Sequence, residues 1–380
     1  MKQIKYVTAL ILAGVMFNAD CGGSENNLES DNSKWSQVST DGGSFTTALQ
    51  QDGTLWGWGF DEGSFFGLGE NGPYQVWTPM KLSKDTDWIK VSGDYIIKAN
   101  GTLWTWDRNR FYQLNYDTDW VDIIRGFNHT IALKKNGTLW AWGENGLGEL
   151  GLGDNTDRFL FAQYRQVGCD TDWTRVAAGN RCTLAIKANG TMWGWGGIWG
   201  NKLKDSSGMI SNIPIQIGTE SNWTKIACGI NCFNAAIKKD GTLWTWGDNI
   251  KGQLGLGDTI DRIEPTQVGT DKDWLDVSAH GSMIALKSDG TLWSWGGNHV
   301  GQLGIGTIDE KPHPLPLRVG KDNDWKTVGG DNFAIKKDGT LWAWGYNYNG
   351  DLGLGKKEKI STPTQVKIMS DPKPAYLKKK

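Results

Sequence analysis

Apolar and polar positions alternate in short bursts along this chain, and the bursts return about every 50 residues. One copy runs Trp223-Thr-Lys-Ile-Ala-Cys-Gly, then Ala235-Ala-Ile-Lys, then Asp240-Gly-Thr-Leu-Trp-Thr-Trp-Gly, then Gly252-Gln-Leu-Gly-Leu-Gly-Asp, then Pro265-Thr-Gln-Val-Gly. Turn signals separate these segments, so each copy predicts four short strands. Gly-Thr-Leu-Trp, with Met192 once in place of Leu, begins at Gly53, Gly101, Gly137, Gly190, Gly241, Gly290 and Gly339, and a second Trp follows two residues on. An earlier tryptophan precedes each copy: Trp35, Trp88, Trp120, Trp173, Trp223, Trp274 and Trp325. Within a copy, Trp244 and Trp246 share one face of their strand and Leu243 takes the other, so both faces of the sheet need cover. Asp-Gly or Asn-Gly before Thr-Leu-Trp predicts a two-residue hairpin turn with positive φ at both central positions.

Seven small sheets, each apolar on both faces, predict an all-β chain folded as a seven-bladed β-propeller. An open solenoid would need polar capping repeats, and neither the first nor the last Trp strand is polar. The chain enters on the Trp35 segment and ends on Pro363-Thr364-Gln365-Val366. The last strand is therefore expected to join the first blade and close the ring.

Composition agrees: 52 glycines in 380 residues that are 38% hydrophobic suit short strands and tight turns. With 40 basic against 42 acidic residues and a net charge of −2, the overall field gives no reason to expect nucleic acid. The N-terminus reads differently. Lys2 and Lys5 flank an apolar run over 6–17, the length of a secretory signal core. Asn18-Ala19-Asp20-Cys21 after it resembles a bacterial lipoprotein start, with Cys21 as the lipidated residue and Asp20 where a small residue is usual. The expected layout is a signal peptide of lipoprotein type over 1–20, a polar linker over 21–34, the propeller over 35–368 and a basic tail over 369–380. That predicts an exported protein of the cell envelope or surface, or otherwise a secreted one, touching membrane only through a lipid anchor.

Four further cysteines, Cys169, Cys182, Cys228 and Cys232, permit disulfides but do not demand them. Cys182 and Cys232 each lie three residues after an equivalent glycine, Gly179 and Gly229, and so read as the same position in adjacent repeats. Small buried side chains and a disulfide among Cys182, Cys228 and Cys232 are both compatible with this; no histidine shares the spacing that a metal would need.

The succession Asp-Trp, Val-x-x-Gly, Ala-Leu-Lys, Asp-Gly-x-Leu-Trp-x-Trp-Gly-x-Asn and Gly-Gln-Leu-Gly-Leu-Gly resembles the regulator of chromosome condensation repeat, over about residues 35 to 368. That resemblance implies a seven-bladed propeller. The family's histidine between the glycine and the Ala-Leu pair is His129 here, while Phe45, Cys182, Cys232 and Asn332 stand in other copies.

No copy carries a nucleophile, base and orienting acid in register, and the histidines are only His129, His280, His299 and His313. No enzymatic activity, cofactor or metal is expected. The glycine-rich loops lack the Lys-Ser/Thr of a phosphate loop and open no helix, so turn geometry explains them. Asp154 and Asp157, like Asp258 and Asp261, are spaced unlike a calcium loop.

Twenty-one of the 23 tryptophans belong to the repeat; Trp77 and Trp199 do not. They fall in the connection from the third strand to the next Asp-Trp, the part that differs most between copies. The same connections hold Phe60, Phe65, Phe66, Tyr74, Arg108, Arg110, Phe111, Tyr112, Phe159, Phe161, Tyr164, Arg165, Tyr346 and Tyr348, with His299 in the sixth copy. Aromatic and arginine enrichment marks interface hot spots. Cover for blade edges would use the same residue types. The second copy is shortened, with 14 residues from Trp106 to Trp120, and predicts a notch beside bulkier neighbours. A monomeric scaffold that binds a protein partner through one loop-rich face is the expected function. An enzyme inhibitor like the exported β-lactamase-inhibitory propeller, a guanine nucleotide exchange factor like the family's nuclear namesake, and a glycan-binding module are the alternatives.

Overall fold

The structure, a computed structural model, describes residues 34–40, 44–60, 75–107, 110–159, 161–197, 210–230, 232–330 and 332–369. Cys21, Phe65, Phe66, Tyr74, Arg108 and Trp199 lie outside them, as do most of the linker and tail. The unit 33–380 holds seven antiparallel sheets of four strands each, and every sheet takes four consecutive strands in order. The sheets are blade 1 (35–81), blade 2 (88–113), blade 3 (120–166), blade 4 (173–216), blade 5 (223–267), blade 6 (274–318) and blade 7 (325–365). Blade 5 shows the pattern: Trp223–Cys228, Phe233–Lys238, Leu243–Gly247 and Arg262–Gln267. The first strands are innermost and line a central channel with Val38, Val91, Ile124, Val176, Ile226 and Val277.

Closure differs from the expectation. The C-terminal strand, Lys359–Gln365, pairs with Leu341–Tyr346 inside blade 7, and blade 1 completes itself with Gln75–Lys81. The repeat from Trp to Pro-Thr-Gln-Val is in phase with the blade, so each blade takes its four strands from one copy. The seam between blades 7 and 1 is made like other blade junctions. Trp35 N–H donates to Gly339 O at 2.8 Å, as Trp120 does to Gly101 O and Trp274 to Gly241 O, both at 3.1 Å. One apolar cluster runs across the seam from Trp35 and Trp58 to Phe333 and Trp344.

The hairpin turn also departs from its reading. Gly53 has φ +77°, but no aspartate or asparagine before these glycines has positive φ. Gly53 N–H bonds Gln50 O, and Gln50 N–H bonds Thr54 O, each at 3.1 Å. This is a three-residue loop, a type I turn closed by a left-handed glycine bulge. Asp52 instead ties the turn to the strand that follows. Its Oδ1 accepts from Thr54 N–H at 3.0 Å and from Thr54 Oγ1 at 2.7 Å, and that hydroxyl accepts from Trp56 Nε1 at 2.9 Å. The relay recurs from Asn100 through Thr102 to Trp104 and from Asp289 through Thr291 to Trp293. It explains why Thr stands in Gly-Thr-Leu-Trp. The glycine cannot change either, because a Cβ on Gly53 would lie 2.1 Å from Thr86 O.

Six blades add a lysine sandwich. Lys287 Nζ sits 4.8 and 5.2 Å from the rings of Trp274 and Trp293, and pairs with Asp271 at 2.6 Å and Asp273 at 3.1 Å. Burial pulls its pKa down, the two carboxylates push it up, and the carboxylates prevail. Lys98, Lys134, Lys187, Lys238 and Lys336 occupy the same slot between two indoles. Blade 1 has Gln50 there.

Candidate functional site

Antiparallel alternation sends the loops after every third strand, and the turns after every first strand, to one end of the ring. On this loop face, four loops are organised by buried asparagines: Asn145, Asn249, Asn298 and Asn347. Asn249 Oδ1 accepts from Leu254 N–H at 2.9 Å, and its amide donates to Asp258 O at 3.1 Å. Gln253 O then accepts from the indole of Trp295 in the next blade at 3.0 Å, and a Cβ on Gly255 would approach that indole nitrogen to 2.7 Å. Gly-Gln-Leu-Gly-Leu-Gly is thus a clip between blades. Asp154 and Asp258 pair with Arg158 and Arg262 at 2.8 and 2.6 Å, and Asp157 and Asp261 accept the backbone N–H of Asn145 and Asn249. The Arg158 hydrogen bond holds Asp154 down to about 2.

The sequence-predicted residues divide into those that cover the blades and those that face outward. Phe111 packs 5.4 Å from Trp88, and Phe161 and Tyr164 stack at 4.7 Å over Trp142, Trp140 and Trp120. Phe60 is half-buried at the end of its strand. Blade 2 turns directly from Asp107 to Arg110, leaving the clip absent. Trp142 Nε1 accordingly donates to Tyr95 Oη at 3.0 Å instead of to a loop carbonyl. Outward-facing residues are Arg110, Tyr112, Phe159, Arg165, Tyr346 and Tyr348.

At the seam of blades 7 and 1 two of the predicted aromatics stack on each other and a third, Trp77, packs against the same loop. Tyr346 and Tyr348 stack at 4.9 Å and 20°, exposed by 41% and 37%. Between them Asn347 is fully buried, donating to Lys356 O at 2.6 Å and accepting from Leu352 N–H at 2.9 Å. Trp77 joins from blade 1: its carbonyl accepts from Gly355 N–H at 2.8 Å, and its Cα and ring lie 3.3 Å from a Cβ built on Gly350. Lys357 Nζ lies 5.3 Å from the Tyr348 ring, and Lys359 donates to His299 O at 2.9 Å. Behind Tyr346 a pocket of about 220 Å³ is lined by Phe45, His280, His299 and Phe333. The sequence signal for these lysines is Lys356-Lys357-Glu358-Lys359-Ile360, which stands where blades 3 and 5 have Asp-x-x-Asp-Arg.

His129 is buried, with Nε2 2.9 Å from Thr183 Oγ1. Its pairing opposite Gly143 matches Phe45 opposite Gly59, Cys182 opposite Gly196, Phe233 opposite Gly247 and Ser282 opposite Gly296. Phe233, not Cys232, is therefore the equivalent of Cys182. Blade 5 has one extra residue in this turn, and Cys232 absorbs it at φ +55°. Cys182, Cys228 and Cys232 are buried and are joined by no disulfide. Hydrogen bonding to Cys228, followed by burial, raises Cys182, and hydrogen bonding to Cys182 with burial raises Cys232.

The model of the RCC1-like domain matches residues 117–378. The chain belongs to that family. Other RCC1-like domain proteins similar to it are the Ultraviolet-B receptor UVR8 of Arabidopsis thaliana, 28% identical over 60% of this chain and 57% of its own length, and the probable E3 ubiquitin-protein ligase HERC6 of Homo sapiens, 31% identical over 39% of this chain and 15% of its own. The chain thus spans little more than half the length of the first of these relatives, and far less of the second. Among solved structures, human WBSCR16 aligns with TM-score 0.66 at 21% identity, covering 79% of this chain and 86% of that one. Yeast RCC1 (Prp20), crystallised with Kap60, aligns with TM-score 0.60 at 20% identity over 88% and 75%. These two likenesses carry the fold.

Proposed function

We propose that this RCC1-like propeller is an exported, lipid-anchored scaffold that holds a partner protein on its loop face, at the seam of blades 7 and 1. The stacked Tyr346–Tyr348 pair carries the reading, because buried Asn347 fixes both rings while they remain exposed. A pre-ordered aromatic surface loses little conformational entropy on binding, and tyrosines beside cations are frequent interface anchors. The yeast propeller of this fold was crystallised bound to a protein, Kap60. The apolar run at 6–17 and Cys21 support export and anchoring.

Two measurements test the two halves separately. Mass spectrometry of the mature protein should find an N-terminus at Cys21 carrying acyl chains; an intact Met1 would refute export. Quantitative capture of envelope proteins should identify a partner whose affinity falls about 100-fold in the double variant Tyr346→Ala, Tyr348→Ala, from roughly 1–2 kcal/mol for each ring. An unchanged affinity would remove the seam from the interface.

A further inference from the structure

A second cavity in the central channel is lined by charged and polar side chains of the first strands. Two residues after the first Trp of each blade stand Gln37, Lys90, Asp122, Arg175, Lys225, Asp276 and Thr327, a ring of seven around a cavity of about 350 Å³. Most members engage a neighbouring blade. Gln37 exchanges two hydrogen bonds with the backbone of Val91 at 3.1 Å. Lys90 pairs with Asp122 at 2.6 Å, Lys225 with Asp276 at 3.1 Å, and Thr327 donates to Asp276 at 3.0 Å. The side chain of Arg175 makes no hydrogen bond or ion pair among the described residues and is open to the channel. Its neighbour on the blade 5 side is another cation, Lys225, whose ammonium is turned to Asp276. The ring therefore sums to one positive charge, and the guanidinium that supplies it is unused.

We propose that this part of the channel binds a small oxyanion, a carboxylate or a phosphate, on the guanidinium of Arg175. The planar fork of arginine offers parallel N–H donors that match either group, and a charge-assisted pair of this kind is about twice as strong as a neutral hydrogen bond. The cavity lies at the lower end of the volumes that small-molecule sites occupy, roughly 300 to 1,000 Å³. Asp122 on one side and Asp276 on the other repel excess negative charge, so a compact anion that reaches Arg175 between them is favoured over a long acidic chain. An anion here would also cancel the repulsion between Arg175 and Lys225, and so stabilise the junction of blades 4 and 5.

Isothermal titration of the full chain with citrate and, separately, with inorganic phosphate tests this directly. One of the two is expected to bind with one-to-one stoichiometry, and the arm that responds identifies the chemistry. Arg175→Gln should weaken that binding about tenfold or more, and Arg175→Lys, which keeps charge but loses the fork, should fall between. Arg318→Gln, on an exposed arginine of the outer strand of blade 6, should leave binding unchanged. Thermal unfolding of each variant reports whether the ring is intact, and bound anion should raise the midpoint of the parent chain but not of Arg175→Gln. Failure of both anions to bind, or equal binding by Arg175→Gln, would overturn the proposal. Neither outcome depends on the loop-face reading.

Discussion

Protonating His129 should weaken the packing of blade 3 against blade 4 by an amount the structure sets. The ring is 1% exposed. Thr183 Oγ1, 2.9 Å from Nε2, already donates its own proton to Glu149 O at 2.9 Å. Nε2–H must therefore be the donor to Thr183, leaving the lone pair on Nδ1, which has no partner among the described residues. A second proton would land on Nδ1 in a dry site, and burial accordingly lowers the imidazole from 6.5 to about 4. The unfolded chain regains the ordinary value, so between those limits it binds more protons than the folded chain. The contribution is complete above pH 6.5, declines as the pH falls through the window and levels off below about 4. At ~1.4 kcal/mol per pH unit the whole step is worth about 3 kcal/mol.

Urea unfolding followed by tryptophan fluorescence between pH 4 and 8 measures this step. The comparison is His129→Phe, since Phe45 fills the same position in blade 1. Whatever the variant does to stability at pH 7, the parent's stability relative to it should fall by about 3 kcal/mol as the pH drops across the window. Glu149, next to Thr183, acts in the opposite direction, because burial raises its pKa and lets the folded chain take a proton first. Glu149→Gln should therefore steepen the acid loss. Asp154 titrates lower, near 2, and leaves the window clear. A slope that His129→Phe keeps unchanged would refute the assignment of tautomer and burial.

Two further substitutions test the ring. Lys287→Met should cost about 2 kcal/mol, from lost charge-assisted hydrogen bonds and cation–π contacts, discounted because Asp271 and Asp273 are half-exposed and regain water; Gln50→Lys, in the blade that lacks the carboxylates, should destabilise rather than rescue, and the reverse result in urea unfolding would break the sandwich argument. Gly353→Ala should open the seam of blades 7 and 1, since the glycine has φ +69° and a Cβ would lie 2.9 Å from Trp58 Nε1; a loss of roughly 1–3 kcal/mol with faster proteolysis is expected, and an unaffected ring would show that the clip is dispensable there.

Much of this fold could be read from the periodicity, because Trp-x-Trp and Asp-Gly recur at positions whose neighbours recur too. What escaped depended on partners from other segments. The lysine sandwich had a visible signal, a lysine ending six second strands and two acids before most first strands, but its meaning needs two indoles brought over one ammonium. Cys232 misaligned with Cys182 because one extra residue in a turn shifts the count, and only strand pairing reveals that Phe233 restores the register. Phe111, Phe161 and Tyr164 could not be told from outward aromatics by type, since the shortened blade 2 and the irregular end of blade 3 both require apolar cover. Tyr346 and Tyr348 differ because the residue between them is anchored inward.

Hydrogen exchange on the complex with the captured partner tests the loop-face claim most directly. Protection should concentrate on the peptide containing Tyr346 to Lys359 and on the strand carrying Trp77, with the Asp-Gly turns at the other end of the ring exchanging as in the free protein. Protection of those turns, with the Tyr346–Tyr348 loop unchanged, would contradict it.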